Sequence, residues 1–322
     1  MNRLLMGGAL VVALLGAARP AQAQLNGENL LGDMGLKSGT QPAPGFYVSM
    51  LHYRYRTDTI RNRNGQRISF DPQQRGRQRI DATVPIALYV SPTTLLGGHY
   101  AAMAVVPFAN GALEAPAFGL LEEASLGLGD AYFMPFQLGW HMRRADVTTS
   151  FAFFAPTGRY AADASDNLGK GMWSYELSAG ATLYADQART WSIAATGFWE
   201  THSRKQDTTL KVGQLFTIEG GAGKSFLDGA MHVGMAYYAQ WKLTPDQIGL
   251  AYELPADATI GRHRVYALGP DVTIPIARKS KLISLVNVRY LWEVGARIKT
   301  EGPSLLLTTT FPLPSIKIPA KH

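Results

Sequence analysis

A chain of 322 residues with no cysteine has neither a disulfide framework nor a thiolate metal site, and its formal charge of +7 falls to +5 once Arg3 and Arg19 are set aside. Past residue 24 no apolar stretch reaches the ~20 residues that a spanning helix needs, which excludes a helical inner-membrane transporter. Many glycines, aromatics along the whole length and no linker favour a single all-β domain.

In chain order, Met1-Asn2-Arg3, the apolar run Leu4 to Ala18 and the Ala21-Gln22-Ala23 site read as a secretory signal peptide spanning residues 1–23. A membrane anchor is the competing reading, but the run is short for one. Residues 24–44 form a Gly- and Pro-rich lead-in that cannot hold a regular strand and is expected in the periplasm. Strands are then expected at Phe46–Arg56, Arg79–Ser91, Gly98–Phe108, Gly127–Trp140, Asp146–Pro156 and Met172–Tyr184. The second half adds Trp191–His202, Gln214–Phe226, Met231–Leu243, His263–Ile276, Leu282–Glu293 and Ser304–Phe311.

About twelve such segments, each near the ~9 to 11 residues that cross a bilayer at a tilt, predict an antiparallel transmembrane β-barrel over 45–313 with a periplasmic tail, 314–322. The connections support it. Those after even-numbered strands are short (SPTTLLG, HMRRA, ADQAR, LDGA, ARKSK), those after odd-numbered strands mostly long and polar, which is barrel parity with both chain ends in the periplasm. Leu282–Glu293 shows the alternation: Val286, Val288, Tyr290 and Trp292 belong to a lipid-facing side, Asn287, Arg289, Leu291 and Glu293 to a wet lumen. By the same parity Val233, Met235, Tyr237 and Trp241 face out, as do Trp173, Tyr175, Leu177, Trp191, Ile193 and Trp199. The second strand reads with Ile80, Val84, Ile86, Leu88 and Val90 outward and Asp81, Thr83, Ala87 and Tyr89 inward; the third and fourth are apolar on both sides.

The segments SGTQPAPGFY, GLGDAYFMPFQLGW, FAPTGRYAADASDNLGKGMWSYELSAGATLY, YALGPDVTI and NVRYLWEVGARIKTEGPSLLLTTTFPL occur in this order from about residue 27 to Leu313. They resemble the phenol-degradation meta-pathway family of outer-membrane channels. The resemblance implies a barrel in the outer membrane of a Gram-negative bacterium, associated with passive uptake of small hydrophobic or aromatic solutes. The tail PLPSIKIPAKH departs from barrels that stop at a terminal aromatic.

Strand parity turns Arg54, Asp81, Glu176, Glu200, Glu219, Lys242, Asp271, Arg289 and Glu293 inward as lumen-lining candidates. Such a constellation either sets which solutes pass or forms a static ladder that holds the barrel round. Arg56, Arg61, Arg63, Arg67, Arg75, Arg77 and Arg79 crowd the first external loop with only Asp58 and Asp71 between them. They suit lipopolysaccharide phosphates or anionic solutes, or are simply solvated. GGAGKS at 220–225 lacks the first phosphate-loop glycine, since Ile218 stands there, and reads as small residues in a strand. An outer-membrane enzyme acting on lipid needs a nucleophile, base and orienting group; His202 beside Ser203 is the nearest pair, and neighbours on a strand point apart. A structural or adhesive barrel is the third reading. No cofactor, metal or nucleic-acid partner is expected.

Overall fold

The computed structural model describes residues 26–67, 77–115, 120–162, 164–227, 231–247, 262–278 and 281–313. The signal peptide, the 314–322 tail and Arg75 lie outside the described residues. The described elements are all strands: β1 Gly45–Thr57, β2 Ile60–Arg61, β3 Arg77–Leu95, β4 Gly98–Val105, β5 Phe108–Ala115, β6 Leu120–Leu128, β7 Ala131–His141 and β8 Ala145–Ala155. They continue as β9 Ser174–Tyr184, β10 Trp191–His202, β11 Leu215–Phe226, β12 Met231–Lys242, β13 Arg264–Arg278, β14 Lys281–Arg297, β15 Lys299–Thr300 and β16 Pro303–Leu313.

Fourteen of these form one antiparallel sheet, closed by β1 pairing with both β3 and β16. β3 pairs with β4 near one end and with β5 near the other, and β7 and β6 follow the same division, so β4–β5 and β6–β7 are single strands interrupted once. Fourteen less two gives a closed barrel of twelve. The interruptions sit at Val106-Pro107 and Gly129-Asp130; proline has no N–H for the ladder, and Gly129 N–H donates across the break to the Pro107 carbonyl at 2.8 Å. The 109–126 stretch, expected as an external loop, is therefore mostly strand. Its Gly and Ala content weakens the alternation by which a strand is recognised.

Connections alternate as expected. At one end β3 turns into β4 through Leu96 and Gly97, both at positive φ (52° and 78°), the pair of conformations that a tight hairpin matching strand twist requires. The opposite end carries the long connections, including 156–173 and 203–214.

The outer wall is apolar. Leu177, Ile193, Val233, Met235, Val288 and Leu307 are exposed. Toward the long-connection end Trp199, Phe216 and Trp241 share one register row, with Phe216 6.3 Å from Trp241 and Tyr266 5.7 Å beyond it. At the short-turn end Trp191 is exposed. Aromatic side chains near both rims of an apolar band mark membrane-water interfaces.

The second strand corrects the expected faces. Val84 is buried in the inner apolar cluster with Leu51, Tyr238, Leu291 and Leu306, and Ile86 packs against that cluster, so the even-numbered residues of β3 point inward. Asp81, Thr83, Ala87 and Tyr89 point outward. Periodicity finds that two faces differ; it does not say which is lipid when the lumen is itself apolar there.

The lead-in supplies that apolar filling. From residue 26 to 44 it runs inside the barrel rather than lying in the periplasm: Leu30 and Leu31 pack on the inner cluster, and Leu36 is buried.

Candidate functional site

Inside the barrel, two carboxylates from adjacent strands clamp the lead-in backbone. Glu200 on β10 accepts from the Glu28 N–H at 2.6 Å and, more weakly, from Asn29 N–H at 3.5 Å. Glu219 on β11 accepts from Gly32 N–H at 3.0 Å and Met34 N–H at 3.1 Å. Arg289 on β14 pairs with Asp271 on β13 at 2.8 Å and also donates to the Gly32 carbonyl. A segment without regular structure leaves its peptide N–H groups unpaired, and these wall carboxylates satisfy several of them.

Further along, Thr40 donates to Asp146 at 3.0 Å, and Gln41 donates to the His99 carbonyl at 3.2 Å and to Gln137 at 3.1 Å. Close approach needs small residues. A Cβ on Gly221, Gly223 or Gly234 would stand 2.8, 3.0 and 2.9 Å from the Leu36 methyl groups, and one on Gly39 would stand 2.4 Å from the Ala181 Cα. The GGAGKS stretch is thus the seat of Leu36 within β11.

The other expected lumen residues are inward too. Glu293 accepts from Tyr55 and Tyr238 hydroxyls, each at 2.7 Å, and from Gly302 N–H at 2.9 Å. Lys242 pairs with Asp246 at 2.8 Å, both buried. Glu176 accepts from Tyr132 at 3.3 Å. Seven of the nine candidates therefore share the interior. Arg54 and Asp81 do not: they pair with each other at 2.8 Å on the outer face, with side chains 60% and 26% exposed, because β1 turns Leu51 and Tyr55 inward and β3 turns Val84 inward. Parity alone also reaches Asp146, two residues before Thr148 on the same face of β8, which bonds Tyr184 at 2.6 Å and His141 at 3.1 Å. The lead-in's place in the lumen had no periodic signal; its glycines between Leu30, Leu31 and Leu36 were the available hint.

Above the lead-in, toward the long-connection end, a cavity of about 340 Å³ remains. Leu30, Leu31, Tyr53 and Leu113 supply apolar walls, and Lys170 and Lys299 stand at its edge. Lys299 donates to Gln240 at 2.8 Å. In the 203–214 connection Lys205 donates to the Lys170 carbonyl at 3.0 Å, and burial, aided by the nearby Lys170 charge, holds its ammonium down to about 8.

His202 and Ser203 form no pair. His202 turns inward, where its Nδ1 lies 2.8 Å from Ser174 Oγ and 3.5 Å from Glu200, while its buried Nε2 has no partner. Ser203 donates to the Arg204 carbonyl. With histidine as the base, a relay needs nucleophile and orienting group on opposite ring nitrogens, and here both contacts fall on one. Among the described residues no cluster of metal-ligating side chains occurs.

In the loop, Arg61 pairs with Glu301 at 2.5 Å, Arg67 with Asp58 at 2.9 Å and Arg77 with Glu114 at 2.8 Å; Arg63 stands in the turn between Arg61 and Arg67.

The fold and its filled interior define an outer-membrane type of β-barrel. The family model described as "Putative MetA-pathway of phenol degradation" matches residues 57–308, and the chain belongs to that family. Among solved structures the COG4313 outer membrane channel from Pseudomonas putida F1 is similar over 89% of this chain and 100% of its own, at 14% identity and a TM-score of 0.72. The β domain of the Bordetella autotransporter BrkA matches 84% of this chain and 100% of its own at 12% identity and a TM-score of 0.46. The CymD monoaromatic hydrocarbon channel matches 85% and 90% at 8% identity and a TM-score of 0.39. No curated protein matches the sequence.

Proposed function

We propose that this chain is an outer-membrane channel for passive uptake of small hydrophobic or aromatic solutes, closed in the state described here by residues 26–44. The observation that carries the reading is a closed barrel whose outer wall is apolar and whose lumen holds a chain segment fixed to the wall by hydrogen bonds, beneath a part-apolar cavity. Membership of a phenol-degradation family and fold likeness to an outer membrane channel support it. Twelve strands leave a conduit narrower than the 16 to 18 strands of general porins. The inward charges Glu176, Glu200, Glu219, Lys242, Asp271, Arg289 and Glu293 then act first as anchors of the filling, and shape the pore once it leaves.

Orientation follows from connection length. In outer-membrane barrels short turns lie in the periplasm and long connections outside, a pattern that supports both ends of this barrel chain lying in the periplasm. An epitope inserted at Ala164, in the 156–173 connection, is expected to be reached by antibody on intact cells. Labelling only after cell rupture would reverse the orientation.

Ion conductance and solute flux through purified protein in vesicles test the function. A channel passes solute, an enzyme turns over lipid, and a structural barrel does neither. Lipid turnover without flux would overturn the proposal.

A further inference from the structure

On the outer face, where β1 and β3 leave the apolar band, Arg56 stands directly opposite Arg79. Cross-strand neighbours have Cβ atoms about 5 Å apart, and like charges so placed repel. The two direct carboxylate contacts of this pair are long ones. Arg56 reaches Asp81 through one nitrogen at 3.4 Å, an oxygen acceptor's neighbour already held by Arg54, and Arg79 lies 3.6 Å from Glu123, whose side chain is 70% exposed. Each guanidinium has five N–H donors, so most of theirs remain turned to the surroundings. With Arg77, which pairs with Glu114 at 2.8 Å, they border a groove of about 530 Å³ that Asp58, Glu114 and Glu301 also line and that ends against Pro303.

The height of this groove identifies what it meets. Phe46 begins the outward row of β1 near the short-turn end, and Arg56 lies ten residues further along the strand. At ~3.3 Å per residue and ~40° of tilt that is ~25 Å, the height of a barrel's apolar band. The last apolar outward neighbours agree: Leu305 is opposite Arg54, one outward position below the Arg56–Arg79 row, and Phe108 is opposite Thr83, two positions below it. The arginines therefore emerge at headgroup level on the long-connection side. By register they take outward positions, since Tyr55 and Ile80 occupy the inward ones between them, and of the three only Arg79 also borders the luminal cavity.

We infer that Arg56, Arg79 and Arg77 form a binding site for a phosphorylated glycolipid headgroup, the lipopolysaccharide of the outer leaflet. One phosphate monoester between Arg56 and Arg79 accepts from both guanidinium forks and removes their repulsion. The inference rests on the outer-membrane orientation proposed above.

The test uses the full-length barrel purified in detergent, and reads the temperature at which its heat-resistant, fast-migrating form unfolds. Purified lipopolysaccharide is expected to raise that temperature by several degrees; the same glycolipid after dephosphorylation is not, and neither is inorganic phosphate at matched concentration. Arg56→Gln combined with Arg79→Gln abolishes the shift, whereas Arg67→Gln, whose native partner is Asp58 in the loop, keeps it. A shift that survives the double substitution, that dephosphorylated glycolipid reproduces, or that inorganic phosphate alone gives, overturns the site. Should the double variant not fold, Arg56→Gln and Arg79→Gln singly each reduce the shift, and an undiminished shift in both is equally fatal. Conductance of Arg56→Gln alone, a residue outside the luminal cavity, stays unchanged, so a failure of the glycolipid site is separable from a failure of the channel reading.

Discussion

Single side chains carry two opposite tasks in this wall. Val288 is exposed on the outer face of β14, one position from Arg289, which is buried and holds both Asp271 and the Gly32 carbonyl. Val288→Arg is expected to cost ~2 to 4 kcal/mol near the bilayer midplane, since a cation there loses its water. Val288→Leu, which keeps the apolar contact, should cost little; denaturant titration in lipid vesicles compares them, and equal effects would contradict the face assignment. A different residue governs the 185–190 turn. Asp186 is held at about 2 by the Trp191 backbone N–H and by the hydroxyl and N–H of Thr190. Because the folded value lies below the ordinary ~3.9, the ionised form stabilises the turn above that pH and the contribution disappears as pH falls toward 2. Amide exchange at Thr190 and Trp191 should accelerate over that window, and Asp186→Asn should flatten the dependence.

At the scale of elements, β11 and β12 show how the barrel makes room for the lead-in. Gly221, Gly223 and Gly234 form a depression that Leu36 fills, and no other residue type fits without moving it. Gly223→Val is expected to lift Leu36 and loosen the lead-in, its Cβ crowding the Val233 carbonyl of β12 as well. A chain with no cysteine allows a direct reading: Ser38→Cys, nearly buried in the native barrel, should react slowly with a soluble maleimide and faster when Gly223→Val is added. Equal rates would mean that the depression does not hold the segment. The same elements show what the sequence made legible. In β10 and β12, Trp191, Ile193, Val233 and Met235 alternate with Ser192, Thr196, Tyr238 and Gln240, so a polar inner wall against an apolar outer one gave the faces directly. In β3 the inner wall is Val84 and Ile86 against Leu51 and Leu306, while Asp81 sits outside at headgroup level, and alternation without a polarity reference assigned the faces in reverse. The place of the lead-in was illegible for another reason. Its contacts pair residues 171 to 257 positions apart through backbone groups, and such bonds leave no periodic trace.

The whole molecule is a barrel sealed by part of its own chain. Its closure does not depend on the filling, because the ladder runs unbroken through β1 and β16, and β1 and β3. The filling depends on the wall: Glu200 and Glu219 alone account for four of its backbone contacts. Leaving buried N–H groups without acceptors costs ~1 to 3 kcal/mol each, so removing both carboxylates should favour release of the segment into water, where those groups are solvated. The most direct measurement is flux of a small single-ring aromatic solute into vesicles containing the native barrel or the Glu200→Ala, Glu219→Ala double variant, each confirmed as folded by heat-resistant migration. A closed channel with a releasable filling predicts slow flux above empty vesicles for the native protein and markedly faster flux for the variant. Flux indistinguishable from empty vesicles in both, with both barrels folded, would contradict the account.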